Sequence, residues 1–249
     1  MIRCFLPGDR WADSAELGEE ESRHLVSVMR AQAGLPIEIL DGQGRIGEAV
    51  VAAPHKKRTA IRILSQTVAA PTGPRKILVQ ALVREQKMDW IVQKAVELGA
   101  HEIWPLQAER AVVKIRPEEA AKKTARWQAV ALGACKQSGN PWMPKIAPVL
   151  GLGVALAALP PSGAACFGAL QANAVPLPSF FGRLRQEPSP QVAMFIGPEG
   201  DFSAGEVEEL LSAGVQPVTL GPMVLRVETA ALFMLAALQY AWMPLKENE

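Results

Sequence analysis

Cysteine is scarce in this chain. Its 249 residues hold three, Cys4, Cys135 and Cys166, scattered and with no Cys-x-x-Cys pair. That argues against a disulfide framework and against a cysteine zinc site, and it favours a reducing, cytoplasmic setting. Histidine is equally sparse, and His24, His55 and His101 show no metal-ligand spacing, so no metal is expected. Long apolar runs are missing too. The opening MIRCFLPGDRW lacks the extended apolar core of a secretory leader. The most apolar late stretch, Ala230–Trp242, falls short of the ~20 residues that cross a bilayer and reads as a buried helix. There is no G-x-x-x-x-G-K-[ST] loop and no H-E-x-x-H, and Gly151-Leu152-Gly153 is an incomplete dinucleotide fingerprint.

What is present describes a globular protein of one large or two ordinary domains, with 49% hydrophobic and 20% charged residues. Net charge is only +1, but its distribution is uneven. Residues 1–70 balance nine Lys/Arg against nine Asp/Glu, residues 71–145 carry thirteen against seven, and residues 146–249 four against nine. A basic middle of this kind could meet phosphates. Solvated helix faces explain it equally well.

Patterning divides the chain near residue 72. Residues 1–66 read as short strands, including Ile37–Leu40, Glu48–Ala53 and Thr59–Leu64. Asp41-Gly42-Gln43-Gly44 signals a hairpin, and Ser22–Arg30 is helical with Leu25, Val28 and Met29 on one face. Ala69–Pro74 is a plausible linker. After it the rhythm alternates. Lys76–Val83 is a strand, Glu85–Leu98 a helix stopped by Gly99, and Glu102–Leu106 a strand, a β-α-β unit that implies a parallel sheet. A helix opens at Pro117 and runs toward Ser138. Later strands are Ala165–Leu170, Val192–Ile196 and Val215–Leu220; Ser203 and Glu206 form a capping box, and Val227–Tyr240 is the last helix.

Ligands of α/β sheets sit beyond the carboxyl ends of the strands. One candidate there is Ile196-Gly197-Pro198-Glu199-Gly200-Asp201, where flanking glycines permit close backbone approach to a ligand; a tight turn is the alternative. Another is Leu220–Ala230, in which Arg226 and Glu228 interrupt an apolar run. Such charges are functional or paired with each other. A third is the basic middle, with Trp90, Trp104 and Trp127 among its Lys and Arg residues. Aromatics between cations suit unpaired RNA bases, although tryptophan at helical spacing is also ordinary core.

At these residues the chain resembles the bacterial 16S ribosomal RNA uridine-N3 methyltransferases of the trefoil-knotted SPOUT class. The likeness lies in His24–Arg30, Lys87-Met88-Asp89, Lys94–Gly99, Gln137-Ser138-Gly139, Ile196–Gly200 and Leu225–Ala230, in family order along nearly the whole chain. Lys136, Asn140, Asp201 and Met223 depart from the family pattern.

The resemblance implies a small PUA-like β-barrel RNA-binding domain over 1–71. It implies an α/β trefoil-knot domain with a mainly parallel sheet over 72–249. It further implies S-adenosyl-L-methionine as cofactor, 16S rRNA of the small ribosomal subunit as partner, and a homodimer. Arg226 and Glu199 are the implied catalytic residues. Leu170, Gly197, Pro198, Glu199, Gly200, Leu220, Gly221 and Leu225 would hold the cofactor. Arg3, Arg30, Arg84, Lys87, Lys94, Arg110, Gln137 and Ser138 would meet RNA. Alternatives are a SPOUT enzyme for another RNA or atom, or a non-catalytic ribosome-assembly factor.

Overall fold

The computed structural model describes residues 1–171 and 173–243. The chain divides into two compact units, Met1–Pro71 with Leu132–Met143, and Thr72–Ala131 with Pro144–Glu249. No helix among the described residues is long and apolar enough to cross a membrane.

The first unit contains β1 (Arg3–Phe5), β2 (Ser14–Glu16), α1 (Glu19–Arg23), β3 (Pro36–Leu40), β4 (Arg45–Ala53) and β5 (Ala60–Val68). They form one sheet in the order β1-β3-β4-β5-β2, parallel only between β1 and β3. The period-two pattern turns Gly47, Ala49 and Val51 of β4 inward, toward a core that includes Cys4, Leu6, Leu25, Ile37, Ile39 and Ile61. The expected hairpin lies between β3 and β4. The buried Asp41 carboxylate accepts the N–H groups of Gln43 and Arg45 at 2.7 and 3.0 Å, an Asx-type turn. Gly44, at φ +100°, lies where a Cβ would come within 2.4 Å of the Trp142 ring.

The helix read over Ser22–Arg30 is different. α1 passes into a π-helical turn at His24–Val28, closed by the Met29 N–H on the His24 carbonyl. The wider i→i+5 turn breaks the 3.6-residue register. Leu25 enters the core, while Val28 and Met29 are exposed.

The second unit begins with β6 (Arg75–Ala81), α2 (Glu85–Glu97) and β7 (Glu102–Leu106). It continues through α3 (Pro117–Ser138, whose end belongs to the first unit), β8 (Lys145–Ile146), α4 (Leu152–Ala157), β9 (Ala164–Gly168), β10 (Val175–Pro176) and α5 (Leu177–Gln186). It ends with β11 (Gln191–Ile196), α6 (Ala204–Ser212), β12 (Gln216–Thr219) and α7 (Val227–Ala241). Seven strands in the order β10-β12-β9-β11-β6-β7-β8 pair in parallel throughout. Their carboxyl ends therefore share one edge.

Alternate residues face opposite sides of this sheet. Ile77, Val79, Phe167, Ala193 and Phe195 enter a core with Leu152 of α4 and Leu210 of α6. α7 packs on β6, β11 and α2. α2 buries Met88, Ile91, Val92 and Ala95, the face expected from spacing, and ends at Gly99 with φ +72°. Lys76 is buried, donating to the Leu98 carbonyl at 3.2 Å and to Gln239; burial pushes its ammonium pKa down to about 8. The sequence reading missed β1, β2, β8, β10, α4 and α5.

Candidate active site

Three segments leave the shared edge side by side, after β9, β11 and β12. Together with the first turn of α7 and Lys87 of α2 they enclose a cleft of about 390 Å3. Its lining is largely apolar, from Ala169, Leu170, Ile196, Pro198, Leu220, Leu225 and Val227, with Gly197 and Gly221 between them and Lys87, Glu199, Asp201 and Arg226 as its charges.

Each segment is held for a physical reason. Gly197 turns sharply off β11, and a Cβ there would stand 3.2 Å from the Phe202 ring. Asp201 adopts a left-handed φ of +59°, and its carboxylate accepts the Phe202 N–H at 2.8 Å, a local bond that makes Asp tolerable there. The capping box of α6 follows. Ser203 Oγ accepts from the Glu206 N–H, and Glu206 Oε2 accepts from the Ser203 N–H at 2.9 Å. Glu206 Oε1 also accepts the Glu109 N–H at 2.8 Å, so one buried carboxylate fixes both this loop and the one after β7. Gly221, at φ +117°, occupies a backbone region open mainly to glycine, and its N–H donates to Thr219 Oγ1 at 3.3 Å.

The charges are arranged unequally. Lys87 Nζ lies 3.3 Å from Glu228 Oε2 and 3.7 Å from Glu199 Oε1. Burial pushes the Glu228 carboxyl up, but its own backbone N–H, the Lys87 ammonium and the more distant Arg226 charge outweigh that and hold it below the usual carboxylate range. Arg226 is the N-cap residue of α7 and is exposed. The pairing with Glu228 that the sequence allowed is absent; Arg226 has no ion-pair partner among the described residues.

Of the residues expected to hold a cofactor, Leu170, Gly197, Pro198, Glu199, Leu220, Gly221 and Leu225 line the cleft, and Gly200 does not. The Gly200 carbonyl instead accepts from Arg110 at 3.3 Å. Lys87, read as an RNA contact, lines the cleft as well. The sequence reading did not single out Thr219 and Val224 as lining residues; they follow from the adjacency of β9, β11 and β12.

The other expected RNA contacts fall in both units. Arg84 is the exposed N-cap residue of α2, and Lys94 pairs with Glu97 at 2.8 Å. In the first unit Arg30 stands at φ +54° beside a shallow depression formed with Ile2, Met29 and Leu35. Arg3 is bound to Glu38 at 2.5 Å and donates to the carbonyls of Lys136 and Gln137. Gln137 is exposed, and Ser138 Oγ donates to the Ala134 carbonyl at 2.7 Å. Of the tryptophans, Trp104 and Trp127 are core and Trp90 is exposed.

Comparison with known proteins agrees with this architecture. Residues 71–239 match the model of an RNA methyltransferase domain, and residues 17–64 that of an RNA methyltransferase PUA domain. The ribosomal RNA small subunit methyltransferase E of Bacillus subtilis is 30% identical over 89% of this chain and 88% of its own length. The crystal structure of a protein of that name from Neisseria gonorrhoeae, bound to S-adenosyl methionine, shares 33% identity with a TM-score of 0.87, covering 97% of this chain and 98% of the other. A methyltransferase from Legionella pneumophila, in complex with the same cofactor, shares 32% identity at a TM-score of 0.85 and the same coverage. The fold is thus a PUA-like domain joined to a parallel-sheet domain of the SPOUT class, and the chain belongs to the RNA methyltransferase family typified by the ribosomal RNA small subunit methyltransferases E.

Proposed function

We propose that this protein transfers a methyl group from S-adenosylmethionine to N3 of a specific uridine in 16S rRNA of the small ribosomal subunit. Residues 1–71 would act as the RNA-binding domain and 72–249 as the methyltransferase domain. The observation that carries the reading is the unpaired Arg226 at the rim of a cleft built from three strand ends.

The cleft suits the cofactor. Its 390 Å3 lies within the roughly 300–1,000 Å3 of small-ligand sites. Ala169, Ile196, Leu220 and Val227 offer apolar surface for a purine, the glycine-containing loops offer backbone groups, and Glu199 and Asp201 offer negative charge to a cationic ligand. S-adenosylmethionine bound there supplies an electrophilic methyl group on a sulfonium.

The chain's own residues would align the nucleophile and manage its charge. Orientation is a large part of such a transfer, and the pinned loops after β11 and β12 give fixed walls for it. Uridine N3 must lose a proton, which leaves negative charge on the flanking ring carbonyls. Arg226 is the cation for that charge, available because no carboxylate forms an ion pair with it among the described residues. Glu199 is the candidate proton acceptor, and Glu228, bound by Lys87, orders the start of α7.

The test is incubation with S-adenosylmethionine and unmodified small-subunit particles, followed by nucleoside mass spectrometry. Appearance of 3-methyluridine is expected; a methyl group on another atom, or none, sinks the reading. In Arg226→Ala, kcat should drop about 10²–10³-fold with cofactor affinity by calorimetry unchanged. Near-normal turnover would remove Arg226 from the mechanism.

A further inference from the structure

Arg226 and Glu228 are two residues apart, on an apolar segment at the start of a helix, yet they do not pair. A guanidinium at the N-cap, with extended backbone at φ −65° and ψ 153°, has the length and freedom to reach a carboxylate in the first turn. Glu199 stands across the same cleft. Both carboxylates are already engaged by one ammonium, which α2 delivers from a third direction, at 3.3 Å from Glu228 and 3.7 Å from Glu199.

We propose that Lys87 is a positioning residue that occupies Glu228 and Glu199 and so keeps Arg226 out of an ion pair, free to meet the negative charge of the substrate. The inference rests on the methyl-transfer reading above. Its physical basis is competition between two cations for two carboxylates. The carboxylates and cations lining the cleft, with Glu228 beside it, are Glu199, Glu228 and Asp201 against Lys87 and Arg226. Asp201 accepts the Phe202 N–H and forms no ion pair among the described residues. The carboxylates at the start of α2 are directed elsewhere, Glu85 and Asp89 pairing with Lys123 and Arg126 of α3, and Arg84 there is an exposed cation. Without Lys87, Arg226 is the only lining cation left for Glu199 and Glu228 among the described residues. A guanidinium captured there would be both displaced and neutralised, which weakens its stabilisation of developing anionic charge. An ammonium is suited to this task because it binds two carboxylates as a compact point charge, without the planar fork that arginine requires.

The test is steady-state methyl transfer by full-length protein, with kcat and the KM for cofactor and for RNA measured separately. Lys87→Gln is expected to lower kcat about 10- to 100-fold with little change in either KM, and Lys87→Arg to recover part of the loss. The discriminating variant is Lys87→Gln combined with Glu228→Gln, which removes the stronger competitor for Arg226 and should restore kcat above that of Lys87→Gln alone. A double variant no better than Lys87→Gln, or a loss confined to the KM for RNA, overturns the proposal. Absence of methyl transfer by the unaltered protein would instead overturn the underlying reading, so the two failures are distinguishable.

Discussion

At the residue scale, burial decides which charges are inert and which are available. Lys76 and His101 adjoin on the edge of the sheet opposite the cleft, the Lys76 N–H donating to His101 Nδ1 at 3.2 Å. Burial first, then the charges of Lys76 and Arg75, push the His101 pKa down to about 4. The folded protein therefore keeps this ring neutral, while the unfolded chain protonates it below about 6.5. A depressed folded-state pKa gives stability that is complete above the unfolded value and is lost as pH falls toward 4. The Tm of the native protein should accordingly fall relative to that of His101→Gln as the pH drops from about 6.5 toward 4. Tm–pH curves that stay parallel would reject the assignment. That Arg226 makes no ion pair among the described residues, by contrast, was not legible in the sequence. Its spacing to Glu228 allowed either a pair or a free cation, and only the arrival of Lys87 from α2 decides between them.

At the element scale, local chemistry was readable where a few adjacent residues settle the conformation. The capping box Ser203–Glu206, the Gly99 stop and the Asp41–Gly44 hairpin all appear where spacing predicts them. Ser203→Ala removes one side-chain cap and should cost about 1 kcal/mol, a fall in Tm of roughly 2–4 °C for a domain of this size. Calorimetry would show it, and Ser203→Thr should keep most of the stability. An unchanged Tm would mean that Glu206, through the Glu109 N–H, holds the loop unaided. Elements escaped notice where they are short or where another register competes. β8 and β10 have two residues each and exist only through their neighbours, and the π turn at His24–Val28 disguised itself as one more helical turn.

At the scale of the whole molecule, an apolar groove of about 500 Å3 lies between α5 and α7, floored by Leu177 and Phe181 and rimmed by Phe233 and Tyr240, which are 45% and 79% exposed. Exposed apolar surface of this kind marks an interaction site, and a second copy of the chain is the occupant expected from the family resemblance. Sedimentation should give a dimer for the native protein and a monomer for Phe233→Glu with unchanged helix content. A native monomer at micromolar concentration would end that expectation. Leu220 and Gly221 line both this groove and the cleft, so loss of the dimer should also weaken cofactor binding.

The sequence by itself determined the alternation of strands and helices, the parallel sheet, and the glycine-bearing loops at the ends of two strands. These follow from periodicity and turn chemistry within a few residues, and the ordered motifs of the family extend them along the chain. The tertiary structure decided what contacts between distant segments decide. It grouped Leu132–Met143 with the N-terminal residues, placed Lys87 in the lining of the cleft, and set the Gly200 carbonyl against Arg110. It also left Arg226 without an ion-pair partner among the described residues. An ion pair depends on through-space distance, and residues 87, 199 and 228 become neighbours only once the sheet has brought three strand ends to one edge.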